Sequence, residues 1–464
     1  MFKTKYLVIS AVVVAALGVT PLIVSQQVDR TIEANNVIFE KNGFKHELLS
    51  KSGYLSGVRT FSLEVVDAKK ARDFLLALLV AKNAQYKLFA ESLKVETDAG
   101  INDAFNGLKF KGEMTNSNLL PSDVKVSLSL AQLPTSMQEE IVNNKAASDA
   151  VLPLLARGVL AVDMTFSSDQ KLKTIKFKDI KEEIKAEGTT LNIDTEKQQL
   201  SLNERGGVVQ GALGVAKQNL GLNGEMFMLK SELKDFIYNF TYKDDLNNKG
   251  DINIGKYALE INDEYTDVKF DLGSLKLISS VEDVKKDLQI KTDFTMDNVV
   301  LLDSTDDAKL EKFFAKLFLR GLNADTIKKV QADYNTLLLG TTPIEDKVLI
   351  DDFVALVNHG VKVDLGIAFK GLSSEMMKLK DVSVDTTLEI AQNTYNDTQS
   401  PLALVGLLDI TSKVKVHKDD RATLEEMELM TAEDFALGKA EGDFFIYELS
   451  MKKGVISVNG KVIQ

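Results

Sequence analysis

The sequence predicts an α+β fold that is mainly antiparallel β. We expect a large one-sided or curved sheet with amphipathic helices inserted, preceded by one N-terminal transmembrane helix. Three observations predict this fold. Apolar and polar residues alternate along many short segments, a few segments repeat apolar residues at helical spacing, and one long uncharged apolar segment lies near the N-terminus.

The N-terminal segment from Leu7 to Val24 is apolar throughout and carries no charge. As a helix it would be about 27 Å long, close to the hydrocarbon thickness of a bilayer. Lys3 and Lys5 precede it, and no basic cluster follows closely. The positive-inside rule therefore predicts Met1 in the cytoplasm and the rest of the chain on the other side of the membrane.

A cleaved signal peptide is the alternative interpretation of this segment, because Ala16-Leu17-Gly18 is a usable cleavage site. Cleavage there would leave an apolar start, Val19 to Val24, on the mature chain, which favours an uncleaved anchor. Both interpretations put the body on the same side of the membrane. The predicted domains are an anchor at 1–25 and an extracytoplasmic β-rich body at 26–464.

Period-two alternation marks the predicted strands. Successive side chains of a strand point to opposite faces, so each segment has one apolar and one polar face. From Met226 to Met296 the strands follow one another with short gaps, as in a meander. The alternating segments are Val124 to Leu130, Leu191 to Ile193, Leu200 to Leu202, Tyr257 to Ile261, Val268 to Leu272, Leu288 to Met296 and Val361 to Phe369.

Turn sequences separate these strands. Asn223-Gly224, Lys249-Gly250-Asp251 and Lys453-Gly454 each combine residues that tolerate a positive φ, so we expect hairpin connections there. Asn459-Gly460 is a strong pair for a type I′ turn near the C-terminus.

Apolar residues at helical spacing predict the helices. One helix is expected from Ala71 to Ala90, and Pro134-Thr135-Ser136 opens a second that continues to about Leu155. Ser304 or Thr305 would cap a third, which carries apolar residues from Leu310 to Phe318 and resumes after Gly321 to about Leu339. Shorter helices are expected at Val348 to Val357 and Ala422 to Met430.

A short pattern occurs twice in the chain. One predicted helix ends in Arg157-Gly158 and another in His359-Gly360, and a strand follows each glycine. The pattern suggests two helix–strand units, at about 26–300 and 301–464. With only six prolines and no Gly/Ser-rich linker, the chain is expected to form one continuous body after the anchor.

Composition excludes several classes of function. The formal net charge of −12 disfavours nucleic acid as a partner, and the absence of cysteine excludes disulfides and thiolate metal sites. Three histidines occur: His46 is expected on the surface, His359 at a helix end and His417 at a solvated strand end. No G-x-S-x-G, H-E-x-x-H or P-loop motif is present. We predict no catalytic residue, no cofactor and no metal site.

Charged clusters are interpreted as structural. Asp244-Asp245 with Asp251, and Asp303 with Asp306-Asp307, could bind calcium weakly, but solvated turns and a helix N-terminus account for them. Four lysines form a local basic patch that either contacts anionic headgroups or forms the polar face of a strand. These are Lys173, Lys176, Lys178 and Lys181.

Two motifs resemble the YdgA-like bacterial family of unknown function. Lys51-Ser52-Gly53-Tyr54-Leu55-Ser56-Gly57 leads into a strand near the start, and Lys453 to Lys461, with Asn459-Gly460, closes the chain. Tyr54 stands at the aromatic position of the first motif, whereas Gly57 replaces an expected second serine. The resemblance implies an envelope protein of a Gram-negative-type bacterium, anchored in the inner membrane with its body in the periplasm. It implies no activity.

Three functions remain open at this point. The leading one is a membrane-anchored, non-enzymatic envelope protein that binds lipid along an apolar sheet face. The second is a scaffold or assembly factor that binds an envelope protein through a sheet edge or an apolar patch. The third is a periplasmic hydrolase.

Overall fold

Antiparallel β structure dominates the computed structural model, and its strands belong to one large sheet, as predicted from the alternating segments. Two compact units are distinguished: unit 1 comprises 1–203 and 214–225, and unit 2 comprises 204–213 and 226–464. The predicted helix–strand units of about 26–300 and 301–464 stay a prediction. The structure describes residues 36–52, 56–82, 105–117, 123–168, 171–186, 188–303, 307–338, 346–375, 377–396 and 402–463.

Unit 1 is built on an antiparallel meander. Strands β1 to β6 pair in chain order, β6 pairs with β9, and β10 pairs with β8, which pairs with β7. The strands are β1 Phe44–Ser52, β2 Ser56–Val65, β3 Lys109–Ser117, β4 Val124–Gln132, β5 Ala161–Phe166, β6 Leu172–Phe177, β7 Ile180–Ala186, β8 Thr189–Glu196, β9 Gln199–Arg205 and β10 Val208–Asn223.

One face of this meander carries the core of unit 1. Along β4 the side chains alternate between buried and exposed, as the sequence predicts. Helix α1 (Ala68–Lys82) packs on the core through Phe74 and Leu75, and α3 (Lys145–Ala156) packs through Leu152 and Leu155. Helix α2 (Thr135–Asn143) starts directly after Pro134. The predicted helix at Ala71 to Ala90 is thus confirmed as far as the structure describes it.

Unit 2 contains longer strands in a single antiparallel sheet. Strand β11 pairs with β12 and β13, both of these pair with β14, and the order continues β15, β16, β17, β18, β19, β21, β22, β23. Strand β20 pairs with β21. The strands are β11 Phe227–Asp244, β12 Asn247–Ile254, β13 Lys256–Asp263, β14 Asp267–Val284, β15 Asp287–Asp303, β16 Asp307–Asn323, β17 Val361–Ser373, β18 Lys378–Ile390, β19 Leu408–His417, β20 Lys439–Glu441, β21 Phe444–Lys452, β22 Val455–Val458 and β23 Lys461–Val462.

Short helices interrupt the sheet of unit 2. They are α4 Ala324–Leu338, α5 Asp346–Asn358, α6 Leu402–Val405, α7 Arg421–Glu426 and α8 Ala432–Leu437, with a 3₁₀ turn at Lys418–Asp420. The predicted helix at Val348 to Val357 is confirmed by α5, and the helix expected at Ala422 to Met430 ends earlier, at Glu426. The glycines after α3 and α5 have the left-handed conformation predicted for them, with φ of 58° at Gly158 and 83° at Gly360.

The helix predicted over Leu310 to Phe318 is wrong, because this segment is the middle of β16. Phe313 and Leu317 lie on one face of the strand, and Phe314 and Phe318 lie on the other. Aromatic residues on both faces imitate helical spacing in the sequence. The stretch predicted to continue as helix to about Leu339 is α4.

One of the predicted hairpin turns is also wrong. Gly250 lies inside β12, where a Cβ would come within 3.1 Å of the Tyr238 ring, and the turn from β11 to β12 lies at Asp245-Leu246. Lys453-Gly454 does connect β21 to β22, with φ of 50° and 79°. Asn223 is the last residue of β10, and Gly224 lies in the connection to β11.

Candidate functional site

An apolar surface extends across the central strands of unit 2. Residues directly opposite one another in an antiparallel pair share a face, and one such row of six contains Leu277, Phe294, Ala315, Ile367, Val384 and Val414. We call this surface the apolar face. It comprises Leu275, Leu277, Val281, Ile290, Phe294, Met296, Phe313, Ala315, Leu317, Leu319, Val363, Leu365, Ile367, Phe369, Val382, Val384, Leu388, Ile410 and Val414.

A line of irregular positions crosses the sheet from β14 to β18. Gly273, Asn298, Glu311, Gly371 and Lys380 each fall between two regular cross-strand pairs, and none forms a regular pair itself. Asn298 and Gly371 have φ of 54° and 64°. We call these five residues the irregular row.

The irregular row keeps the apolar side chains on one side of the sheet. In a regular strand, Phe369 and Leu372 would point to opposite faces, because three positions separate them. Instead both pack in one cluster with Val382 and Leu379, their neighbours on β18. In β17, the large apolar residues have odd numbers up to Phe369 and an even number at Leu372. The irregular conformation at Gly371 therefore keeps both groups of side chains on the same face of the sheet.

Asp420 fixes the end of the irregular row at β18. Its side chain is only 1% exposed, and its carboxylate accepts hydrogen bonds from the amides of Lys380 and Asp381, at 2.6 and 3.1 Å. A carboxylate that satisfies two amides released by an irregular strand stabilises that geometry. Asp420 is the last residue of the 3₁₀ turn and directly precedes α7, and no sequence motif indicated its role.

The middle of the apolar face is covered incompletely by the residues that the structure describes. None of the face residues of β14 to β17 is buried, and Leu365 and Ile367 in the central strand are 39% and 38% exposed. In the described ranges, the helices pack against the face at two margins. Leu424 and Phe435 of α7 and α8 pack near Val416 and Tyr447 at one margin.

The opposite margin of the apolar face is covered by the start of α4. Ala324 and Ile327 pack there with Leu288 and Leu322. Between the two margins, partly exposed aliphatic and aromatic side chains form a surface of about 24 Å across six strands, taking about 4.8 Å per strand. Continuous apolar surfaces of this kind mark binding sites for proteins, membranes or apolar ligands.

His46 is buried, so the expectation of a surface histidine is wrong. The side chain is 8% exposed, and its ring lies between Phe39 and Phe61 with centroid distances of 5.7 and 5.6 Å. Its Nδ1 lies 2.6 Å from Oδ1 of Asn36, and its buried Nε2 has no hydrogen-bond partner among the residues that the structure describes. Burial lowers the pKa of His46. The polar neighbours in sequence misled the prediction, because they lie on the other face of β1.

The other two histidines lie where the sequence predicts. His359 is exposed directly after α5. The Nδ1 of His417 accepts a hydrogen bond from the amide of Asp419 at 3.2 Å, and its ring lies edge-on to Phe444.

Asp244 and Asp245 lie at the turn from β11 to β12, as expected, whereas Asp251 lies inside β12. Asp244 accepts hydrogen bonds from the Leu246 amide and the Asn247 side chain, and Asp251 accepts from Asn239. The helix N-terminus expected at the second acidic cluster is wrong, because Asp303 ends β15 and Asp307 begins β16. The cluster at Asp303 extends to Asp306, which lies outside the described residues. Within the described part of the chain, no group of three or more histidine and acidic side chains is arranged to hold a metal ion.

The lysines of the predicted basic patch are exposed. Lys173 forms an ion pair with Asp123 at 2.7 Å, and Nζ of Lys178 donates to the Gly158 carbonyl at 3.3 Å. Lys173 falls at a register shift between β5 and β6, so its spacing of three from Lys176 does not put the two side chains on opposite faces. Contact of this patch with anionic headgroups stays a prediction.

The C-terminal motif has the structural role predicted for it. Asn459 and Gly460 have φ of 49° and 79° in the turn from β22 to β23, as a type I′ turn requires. The Asn459 side chain donates to the Leu437 carbonyl and accepts from the Glu448 amide, so it ties α8 to the sheet. Gly53 and Tyr54 of the N-terminal motif lie outside the described residues, between β1 and β2.

Comparison with known protein families, curated proteins and solved structures gives no match for this chain. The segment predicted as an anchor, Leu7 to Val24, lies outside the described residues. None of the helices in the described ranges has the length and hydropathy needed to cross a bilayer.

Proposed function

We propose that the chain is a non-enzymatic protein of a bacterial cell envelope, which binds lipid acyl chains along the apolar face of unit 2. The observation that supports this most is the exposure of Leu365 and Ile367 at the centre of a continuous apolar surface. Exposure of an apolar face of this size to water is unfavourable. Each CH₂ group of a ligand that is buried on the face contributes about 0.8 kcal/mol to binding.

Lipid is the occupant because of where the chain is expected to lie. The segment Leu7 to Val24 would hold the body beside the inner membrane, with the sheet in the periplasm. There, acyl chains are the most abundant apolar ligands. An open surface of aliphatic and aromatic side chains suits an extended hydrocarbon chain, whereas small-molecule sites are concave pockets with a few polar groups.

Photocrosslinking in living bacteria tests the proposal. The benzophenone amino acid p-benzoylphenylalanine is introduced into the full chain at Ile367, on the apolar face, or at Ala368, its neighbour on the opposite face. After irradiation, intact-mass measurement identifies adducts. We expect lipid adducts at Ile367 and few or none at Ala368, because adjacent side chains of a strand point to opposite faces.

Two other results would contradict the lipid proposal. A reproducible crosslink from Ile367 to a single protein would support a scaffold or assembly factor instead. Equal lipid adducts at both positions would indicate general contact with the membrane and no specific face.

A further inference from the structure

The face of the unit 2 sheet opposite the apolar face contains an elongated polar trough of about 820 Å³. It crosses the strands from β15 to β22, which is about 29 Å at 4.8 Å per strand. The floor of the trough is the backbone of the cross-strand row that contains Leu365 and Thr386. The polar side chains of the two neighbouring cross-strand rows form its walls.

One wall is a row of hydroxyl groups. Thr387, Thr411, Ser450 and Ser457 stand directly opposite one another on four successive strands. The hydroxyls of Ser450 and Ser457 are 2.8 Å apart, and Thr387 donates to Asp364 at 2.7 Å. Hydroxyls both donate and accept, so this wall can adapt to a ligand that does the same.

The other wall is a row of alternating charges. Asp293, Lys316, Asp385, Lys413 and Glu448 follow one another across the strands, and Gly366 takes the place between Lys316 and Asp385. Because Gly366 has no side chain, Nζ of Lys316 reaches across β17 to Oδ1 of Asp385 at 2.7 Å.

The charges of the trough balance. Lys291 pairs with Asp293 at 3.0 Å, and Arg320 pairs with Asp364 at 2.7 Å while it stacks on Phe318 at 4.8 Å. Counting Arg320, four basic and four acidic side chains surround the trough. A polyanion such as a nucleic acid needs a basic surface, so it is a poor match. An acyl chain would cover these charges and hydroxyls without forming hydrogen bonds to them, so it is a poor match too.

We propose that this polar trough binds a linear neutral oligosaccharide. The length suits an extended chain of sugars, and the hydroxyls and paired charges supply donors and acceptors at regular strand spacing. The site is independent of the lipid proposal, because the two surfaces lie on opposite faces of the same strands.

An array of immobilised neutral linear oligosaccharides tests this inference. It includes β-1,4-linked N-acetylglucosamine and α-1,4-linked glucose chains and is probed with the full chain. The protein is kept in lauryldimethylamine oxide, because alkyl glycoside detergents would compete for the trough. We expect binding to at least one neutral chain, and about tenfold weaker binding after Thr411→Val with Ser450→Ala, which removes two hydrogen-bonding hydroxyls.

The matched control is Ser279→Ala with Thr292→Val. These two hydroxyls are 3.3 Å apart on the side of the apolar face and do not line the trough, so their loss should leave oligosaccharide binding unchanged. Unfolding midpoints of both double variants verify that each folds. The proposal is overturned if no neutral oligosaccharide binds, if the control weakens binding as much as the trough variant, or if heparin binds as well as the neutral chains.

Discussion

Replacing the two exposed residues of β17 should weaken lipid binding measurably. The substitutions are Leu365→Thr and Ile367→Thr, since threonine favours strands and its hydroxyl is tolerated at Thr386, directly opposite Leu365. Covering a whole side chain of this type contributes about 1.5–3 kcal/mol. About two-fifths of each side chain is exposed, so a ligand that covers both gains about 1.2–2.4 kcal/mol from them.

That range corresponds to a change in Kd of about 8-fold to 60-fold. Threonine keeps one methyl group, so we expect about tenfold weaker binding, near the lower end. Native mass spectrometry of the full chain, titrated with phosphatidylglycerol in detergent, measures the change. Lipid bound by the N-terminal segment is common to all variants and cancels in the comparison.

The matched control carries Ala368→Thr and Lys370→Thr, two threonines in the same strand on the other face. It should bind phosphatidylglycerol like the unaltered chain. The reasoning fails if the control loses as much affinity as the Leu365 and Ile367 variant, or if neither variant changes it. Unfolding midpoints separate loss of binding from loss of fold.

Three further predictions concern stability and are measured by unfolding of the full chain. Burial lowers the pKa of His46 below its ordinary 6.5, so the unfolded chain takes up the proton first and the folded state loses stability as pH falls below about 6.5. His46→Phe should remove this pH dependence of stability. An equal loss of stability at low pH in the variant would refute this. Asp420→Asn should cost about 1.5–3 kcal/mol of stability, because the side-chain amide of asparagine cannot accept hydrogen bonds from both strand amides. Asp419→Asn, which removes an exposed ion pair with Lys380, should cost much less, and equal costs would contradict this reasoning. Gly112→Ala should cost about 1–3 kcal/mol of stability, since the new Cβ would lie within 2.7 Å of three ring atoms of buried Phe61. A variant more stable than the unaltered chain would contradict this close packing of Phe61 on Gly112.

The strands of the sheet could be predicted where one face is apolar and the other polar. The stripe from Val361 to Phe369 became β17, and Val124 to Leu130 became β4, because strict period-two alternation is typical of a strand with one buried face. Strand β16 could not be predicted in this way. Its aromatic residues occur on both faces, and only the pairing with β15 and β17 decides which of them belong to the apolar face.

The irregular row could not be predicted because it is a property of neighbouring strands together. A single glycine such as Gly371 indicates a bulge at most. The alignment of Gly371 with Glu311 and Asn298 depends on strand register, which the sequence does not reveal. The same limit applies to the polar trough, whose hydroxyl row combines residues from four strands.

The buried position of His46 was missed although one signal was present. Phe44, two residues earlier on the same face of β1, is 1% exposed, and period two then implies that His46 faces the core. The immediate neighbours, Lys45 and Glu47, form an ion pair at 2.7 Å on the other face. In a strand, the residues at i±2 predict burial better than those at i±1.

Contact between lipid and one face of the unit 2 sheet is tested most directly by fluorescence quenching at two adjacent residues of β18. The chain has no cysteine, so Val384→Cys and Ser383→Cys each introduce a unique site for a bimane label, on the apolar face and on the opposite face. The labelled full chain is placed in nanodiscs that contain spin-labelled phospholipid. Strong quenching for Val384→Cys with weak quenching for Ser383→Cys is the expected result. Equal quenching at both sites, or none at Val384→Cys, would contradict lipid binding on the apolar face.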